Sequence, residues 1–174
     1  MLVKTKKEVP MVSAKIFRLA VVLATLLFFS QAPLFAGETA KDMKGWEAGS
    51  EYNSYYNASE LDKFRATVVD IMEVEPMEGM SPATAIILKE SPEDEPILVH
   101  VCPAWFANEE QLGLGKGDRV KIRGSWAYID GKDVFMASKI KKGDYYSFKV
   151  RLTSDGTPFW TMSEEQLARE RISD

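Results

Sequence analysis

The sequence predicts a small all-β domain, and three observations support this class. From Phe64 onward, short runs rich in valine and isoleucine are separated by segments that contain proline, glycine and aspartate. At Val120 and Ile122, apolar residues alternate with basic ones, as they do in a strand that is buried on one face. The length of 174 residues accommodates one such domain with extensions at its ends.

Six extended runs follow one another along the chain. They are residues 65–74, 83–89, 97–102, 119–128, 133–140 and 145–152. Between the third and fourth runs, residues 103–112 predict two helical turns, because proline is favoured in the first turn of a helix and Gly113 would end it. Residues 129–132 predict the turn of a hairpin. Ser163 precedes a charged segment that predicts a short helix with a capping box.

The order strand, strand, strand, short helix, strand, strand matches the OB-fold, a five-stranded barrel with a helix between strands 3 and 4. Gly124, inside the fourth run, suits the sharp coiling that closes a barrel. A β-sandwich is the alternative. Four segments are predicted: a signal peptide at 1–36, an aromatic N-terminal arm at 37–63, the OB-fold domain at 64–160 and a charged C-terminal helix at 161–174. Trp46 and Tyr52 predict that the arm packs onto the domain.

The N-terminal segment has the order of a secretory leader. Five basic residues precede the apolar run at residues 19–29, and small residues follow it. This run is shorter than the roughly 20 residues that a membrane span needs. We expect cleavage after Ala36 and export to the periplasm, with a membrane anchor only if the leader is retained. Both Met1 and Met11 are suitable first residues.

Removal of the leader makes the protein more acidic. It takes five of the 22 basic residues and one of the 26 acidic residues, so that 17 and 25 remain and the net charge is −8. Such a charge repels phosphate backbones, so oligonucleotide binding rests on fold analogy alone and is disfavoured. The single cysteine excludes an intramolecular disulfide. We expect no membrane contact beyond the leader.

Several motifs resemble those of a family of exported bacterial OB-fold domains without an assigned reaction. PMEGM at 76–80, VHVCPAW at 99–105 and GDRVKIRGS at 117–125 are similar to the PMxGM, VHLGPAW and GDxVxVxGS patterns of that family. The resemblance runs from Trp46 to Trp160 and implies an exported OB-fold domain. Cys102 stands where that family has glycine, which argues against a catalytic role common to the family. Trp126 and Thr153 also depart from its pattern.

His100 and Cys102 are the only residues of their types, and they lie two positions apart on the third predicted strand. The favoured interpretation is structural, because residues two apart on a strand share a face and free cysteine is often buried. The alternative is a metal-handling or redox-accessory protein in which Met77 and Met80 complete the ligand set. Pairing counted from the turn after the second strand would place Leu88 near Ile97 and Thr84 near Val101, bringing this pair close to the methionine loop. Catalysis ranks lowest because no catalytic motif accompanies the pair.

OB-folds commonly bind ligands on the face of strands 2 and 3. We therefore predict a non-enzymatic binding module for a small ligand or a protein partner, without a cofactor. Its candidate contacts are aromatic and basic side chains, namely His100, Trp105, Trp126, Tyr128, Arg119, Lys121 and Arg123. The basic row of the fourth strand, extended by Lys139, Lys141 and Lys142, is interpreted first as a solvated face that discourages edge pairing. A site for an anionic ligand or partner is the second interpretation.

Overall fold

The structure is a computed structural model that describes residues 41–172, and the predicted leader lies outside this range. Its strands are β1 Leu61–Val74, β2 Ala83–Lys89, β3 Ile97–Pro103, β4 Arg119–Ile129, β5 Lys132–Lys142 and β6 Tyr146–Lys149. Its helices are α1 Glu51–Ser54, α2 Glu109–Leu112 and α3 Glu164–Ile172, with a 3-10 turn at Phe159–Thr161. In this range, no helix is long and apolar enough to cross a membrane. The predicted β-rich class is confirmed.

All six strands belong to one sheet in the order β3-β2-β1-β4-β5-β6, and neighbours in this order are antiparallel. A short parallel pairing of Val99 with Phe135 and of His100 with Met136 joins β3 to β5. This pairing closes β1 to β5 into a ring of five strands, and β6 extends the sheet beyond it. The predicted order of strands along the chain is confirmed, and the turn predicted at residues 129–132 is a two-residue connection between β4 and β5.

Apolar residues of the ring strands form the core. Val68, Ile86, Val120, Ile122 and Ile140 are each at most 1% exposed, and burying such a side chain contributes about 1.5–3 kcal/mol. Position 124 admits glycine alone, because a Cβ atom there would lie 2.1 Å from the carbonyl oxygen of Met136 on β5. Any side chain at this position would push β4 and β5 apart, which agrees with the role predicted for Gly124 in closing the sheet.

The helix predicted for residues 103–112 is wrong in its first half. Pro103 is the last residue of β3, and residues 104–106 form a turn. Helix α2 begins only at Glu109 because Asn108 caps it: the Asn108 side chain accepts a hydrogen bond from the backbone N–H of Gln111, and the Gln111 side chain accepts one from that of Asn108. Gly113 ends the helix as predicted, in the left-handed region at φ 63°.

The predicted pairing of β2 with β3 is correct at one end and shifted at the other. Leu88 pairs with Ile97 as predicted, whereas Thr84 pairs with Cys102 instead of Val101. Ala85 pairs with His100, so Val101 is the extra residue of a β-bulge. Since a bulge interrupts the strict alternation of a strand, the spacing of His100 and Cys102 does not by itself place them on one face.

The arm at residues 41–60 packs onto the domain, as its aromatic residues predicted. Trp46 is fully buried, and its ring contacts those of Tyr52 and Trp160 edge-on, with centroids 4.8 Å and 5.2 Å away. Trp46 Nε1 donates to the carbonyl oxygen of Ser81, and Trp160 Nε1 donates to that of Trp46, both at 2.9 Å. These contacts join the arm, the β1–β2 connection and the C-terminal segment into one aromatic cluster.

Candidate anion-binding face

Basic side chains form two rows across β1, β4 and β5. Directly paired positions give a first row of Lys63, Arg123 and Lys139, and a second row of Arg65, Lys121 and Lys141. Directly opposite residues of an antiparallel pair point to the same side of the sheet, with Cβ atoms about 4.5–5.5 Å apart. Arg119 lies two residues before Lys121 on β4 and therefore on the same side. We call these seven residues the basic face.

The two rows set like charges directly against each other. Lys121 faces Arg65 on β1 and Lys141 on β5, and Arg123 faces Lys63 in the same way. Like charges directly opposite each other destabilise a sheet. Within residues 41–172, no carboxylate forms an ion pair with Arg65, Lys121 or Lys141. The arrangement therefore costs stability instead of adding to it.

Edge protection does not explain the basic face. β1 is paired with β2 and β4, and β4 is paired with β1 and β5, so neither strand is an edge of the sheet. Charged residues that prevent pairing with another chain are needed only at an edge. Arg119, Lys121 and Arg123 are exposed, as predicted for a solvated face, but the predicted protection against edge pairing is wrong.

Two adjoining grooves cross the basic face. The larger has a volume of about 530 Å³, and its charged lining residues are Arg65, Arg119, Lys121, Lys141 and Asp144. The smaller has a volume of about 260 Å³ and shares Lys121 and Lys141 with the larger. Asp144 is the one carboxylate among the residues that line either groove. Both grooves thus offer a strongly positive surface to solvent.

Part of this face was missed by the sequence prediction. β1 begins at Leu61, four residues before the predicted start, so Lys63 belongs to the strand and not to the arm. The alternation of Lys63, Phe64 and Arg65 was the available signal. Lys142, predicted to extend the basic row, instead forms an ion pair of 2.9 Å with Asp118, so that part of the prediction is wrong.

A family comparison covers the strands that carry the basic face. The model of the MamS/MamX magnetosome protein family matches residues 60–146. The chain belongs to this family. The match includes all seven residues of the basic face and is shorter at both ends than the predicted resemblance from Trp46 to Trp160. No curated protein matches the chain.

The predicted aromatic contacts do not join the basic residues. Trp126 and Tyr128 follow the irregularity in the β4–β5 register at Arg123 and Gly124. Both are exposed, but neither lines either groove of the basic face. Trp126 stacks on Phe64 at 6.2 Å, and its Nε1 donates to Asp62 at 3.3 Å. The basic and aromatic residues that were predicted to form one ligand site therefore do not line a common groove, although both sets lie in the region that matches the MamS/MamX family.

The face of β2 and β3, predicted to bind the ligand, is covered by the arm. His100 is 3% exposed, and its ring lies 6.0 Å from that of Tyr52. Trp105 is partly buried, and its Nε1 donates to the carbonyl oxygen of Asp42 at 2.8 Å. A ligand would therefore have to displace the arm to reach His100 and Trp105, the contacts predicted on this face.

His100 and Cys102 are both neutral at pH 7. Burial lowers the pKa of His100 to about 4 and raises the pKa of Cys102 to about 12. Cys102 Sγ donates to the carbonyl oxygen of Ala107 at 3.5 Å, while His100 Nδ1 has no hydrogen-bond partner among the described residues. Burial disfavours the thiolate form that a cysteine nucleophile needs, which favours the structural interpretation.

Among the described residues, no further cluster of metal ligands joins His100, Cys102, Met77 and Met80, the ligands predicted from the sequence. Met77 and Met80 lie in the β1–β2 connection, and Met80 packs beside Gly45 of the arm, where an added Cβ would lie 2.4 Å from its Cγ. In the part of the chain from 41 to 172, no group of three or more His, Cys, Asp or Glu residues is placed to hold a metal ion.

A second cationic feature, which the sequence did not predict, lies beneath the arm and outside the region that matches the MamS/MamX family. Arg151 is 2% exposed, and its guanidinium stands over the rings of Tyr56 and Trp160 at 4.8 Å and 4.7 Å. It donates to Asn53 Oδ1 at 2.8 Å and to the carbonyl oxygen of Gly156 at 3.3 Å. Aromatic faces and neutral acceptors hold this buried charge.

Proposed function

We propose that the protein is an exported, non-enzymatic OB-fold binding module of its magnetosome family that holds an anionic ligand or protein partner on the basic face. The observation that carries this proposal is the pair of opposed rows, in which Lys121 faces Arg65 on one side and Lys141 on the other. An anion bound between the rows would offset their repulsion. The rest of the chain is acidic, so the face is an isolated region of positive charge.

The OB-fold assignment is supported by the ring of five strands. The ring runs β1-β2-β3-β5-β4, with a parallel contact between β3 and β5 and the short helix α2 between β3 and β4. These features are those expected of a small closed Greek-key arrangement. The proposed binding surface differs from the usual one because the arm covers the face of β2 and β3.

Export is supported by the leader pattern at residues 1–36. N-terminal sequencing of protein isolated from the periplasmic fraction is expected to begin at Gly37. Recovery of the uncleaved chain from the cytosol alone would contradict export. The absence of an enzymatic role is supported by the neutral, buried states of His100 and Cys102.

Retention of the full chain on immobilised polyanions across a salt gradient tests the binding proposal. Polyglutamate and polyphosphate are suitable probes, because they present carboxylate and phosphate charges separately. The triple variant Arg65→Glu, Lys121→Glu and Lys141→Glu is expected to lose retention at a salt concentration that still holds the wild type, because each reversal replaces attraction by repulsion.

The control variant is Lys41→Glu, Lys44→Glu and Lys132→Glu, which changes the net charge by the same amount at exposed positions outside the basic face. It should keep most of the wild-type retention. Equal losses in the two triple variants would mean that overall charge governs binding, and the proposal would then be abandoned.

A further inference from the structure

We infer that the larger groove of the basic face binds a ligand that presents two or more phosphoryl groups close together. The source is either a soluble oligophosphate or the headgroups of neighbouring phospholipids. The inference rests on the proposed function and names the class of anion that the face selects. It is carried by the convergence of Arg65, Lys121 and Lys141 from three adjacent strands on one groove, with Arg119 beside them.

The density of charge in the groove favours phosphate over carboxylate. Four cations and one carboxylate, Asp144, line a volume of about 530 Å³. A carboxylate brings a single negative charge, whereas a phosphate monoester brings about 1.5 to 2 at neutral pH together with three acceptor oxygens. Adjacent phosphoryl groups therefore neutralise the groove with few ligand atoms, and isolated carboxylates do not.

The residue types and their spacing agree with this class. Arginine offers a planar fork of donors that matches two phosphate oxygens, and lysine adds a mobile point charge. Arg119 already donates through Nη1 to Thr67 Oγ1 at 3.2 Å and to the carbonyl oxygen of Glu90 at 3.0 Å, which fixes its guanidinium at the side of the groove. The row from Arg65 to Lys141 crosses two strand spacings, roughly 10 Å in all, so it suits an extended ligand with repeated charges.

A single-stranded nucleic acid fits the face less well than a simple phosphate compound does. Proteins that hold single strands combine a basic groove with aromatic side chains on which bases stack. Trp126 and Tyr128 are exposed but line neither groove, and the lining of the two grooves contains no aromatic residue. The groove therefore recognises phosphoryl groups without a platform for bases.

Titration calorimetry of the full chain with inorganic triphosphate, and with citrate as a polycarboxylate control, tests the inference. Triphosphate is expected to bind at least about tenfold more tightly than citrate, and Lys121→Gln to weaken triphosphate binding by about tenfold or more, as loss of a charged contact does. Lys132→Gln, at an exposed site outside the face, should stay within about twofold of wild type. Circular dichroism melting verifies that each variant is folded.

A parallel sedimentation experiment with vesicles that contain phosphatidic acid, whose headgroup is a phosphate monoester, separates the two sources of phosphate. Binding that is sensitive to Lys121→Gln with vesicles, but absent with triphosphate, supports the inference with phospholipid headgroups as the source. Equal affinity for citrate and triphosphate, or triphosphate binding unchanged by Lys121→Gln, overturns the phosphate assignment. Retention on polyglutamate alone overturns it as well and leaves the proposed function intact, whereas loss of retention on every polyanion removes both.

Discussion

Arg151 and the basic face place cations in opposite surroundings. Arg151 is buried between the rings of Tyr56 and Trp160, and neutral oxygen atoms accept its hydrogen bonds. Lys121, by contrast, is exposed and faces a cation on each neighbouring strand. The first charge has its partners within the protein, whereas the second is exposed to solvent and has cations as its neighbours.

Under the proposed function, this difference separates a structural cation from one that binds a ligand. A buried charge without partners costs several kcal/mol, so its surroundings must be complete in the folded chain. An exposed charge is stabilised by water, so repulsion from neighbouring charges lowers the free energy of unfolding only modestly. Selection tolerates such a loss of stability where the charges bind a ligand. Substitutions should therefore have opposite effects on stability in the two regions.

Arg151→Met should show the largest effect. It leaves Asn53 and Gly156 without their donor and removes both ring contacts, so the free energy of unfolding is expected to fall by about 4 kcal/mol. Urea denaturation at pH 7 measures the loss. The matched change on the basic face, Arg123→Met, should alter stability by less than about 0.5 kcal/mol. Similar losses in the two variants would remove the distinction between the regions.

The covered side should also weaken in acid. Burial lowers the pKa of His100 to about 4, so between about pH 6.5 and pH 4 the unfolded chain binds a proton that the folded chain does not. The free energy of unfolding is therefore expected to fall as the pH drops through this window, by about 3 kcal/mol in total. Urea denaturation of wild type and His100→Gln at pH 7 and pH 4.5 isolates this contribution from that of the carboxylates. Identical pH dependence in the two proteins would argue against a buried neutral imidazole.

Trp105→Phe should have a smaller effect that is confined to the arm. The substitution removes the hydrogen bond from Trp105 Nε1 to Asp42 and is expected to cost about 1 kcal/mol. Limited trypsin digestion should then cut faster after Lys44. Trp126→Phe is the control, because Trp126 is 44% exposed and donates only to the exposed Asp62, so digestion there should match wild type. Faster cutting in the control as well would mean that the arm is not held through Trp105.

Lys121→Gln should show the smallest effect on stability, with the opposite sign. Removing this charge relieves repulsion from Arg65 and Lys141, so the free energy of unfolding is expected to rise by about 0.5 kcal/mol. The gain should shrink in 1 M salt, which screens exposed charges, and Lys132→Gln should show no gain. A loss of stability at low salt would indicate that Lys121 has a structural partner.

Local patterns predicted most of the strands, because periodicity and turn residues act over short distances. The positions of β2 and of the hairpin turn after β4 followed from such signals. The end of β3 and the start of α2 did not, because the capping exchange between Asn108 and Gln111 outweighed the preference of Pro103 for a first helical turn. The bulge at Val101 also escaped prediction, since it arises from the pairing of two strands.

The sequence by itself determined the β class, the order of elements and the presence of alternating basic residues in β4, because each depends on neighbours in the chain. Only the tertiary structure decided which charges face each other, since Lys63 and Arg123 are brought together by the register of β1 against β4. The same holds for Arg151, whose acceptor Asn53 lies 98 residues away. Pairing and burial act between distant segments, and they alone separated the covered side of the ring from the basic face.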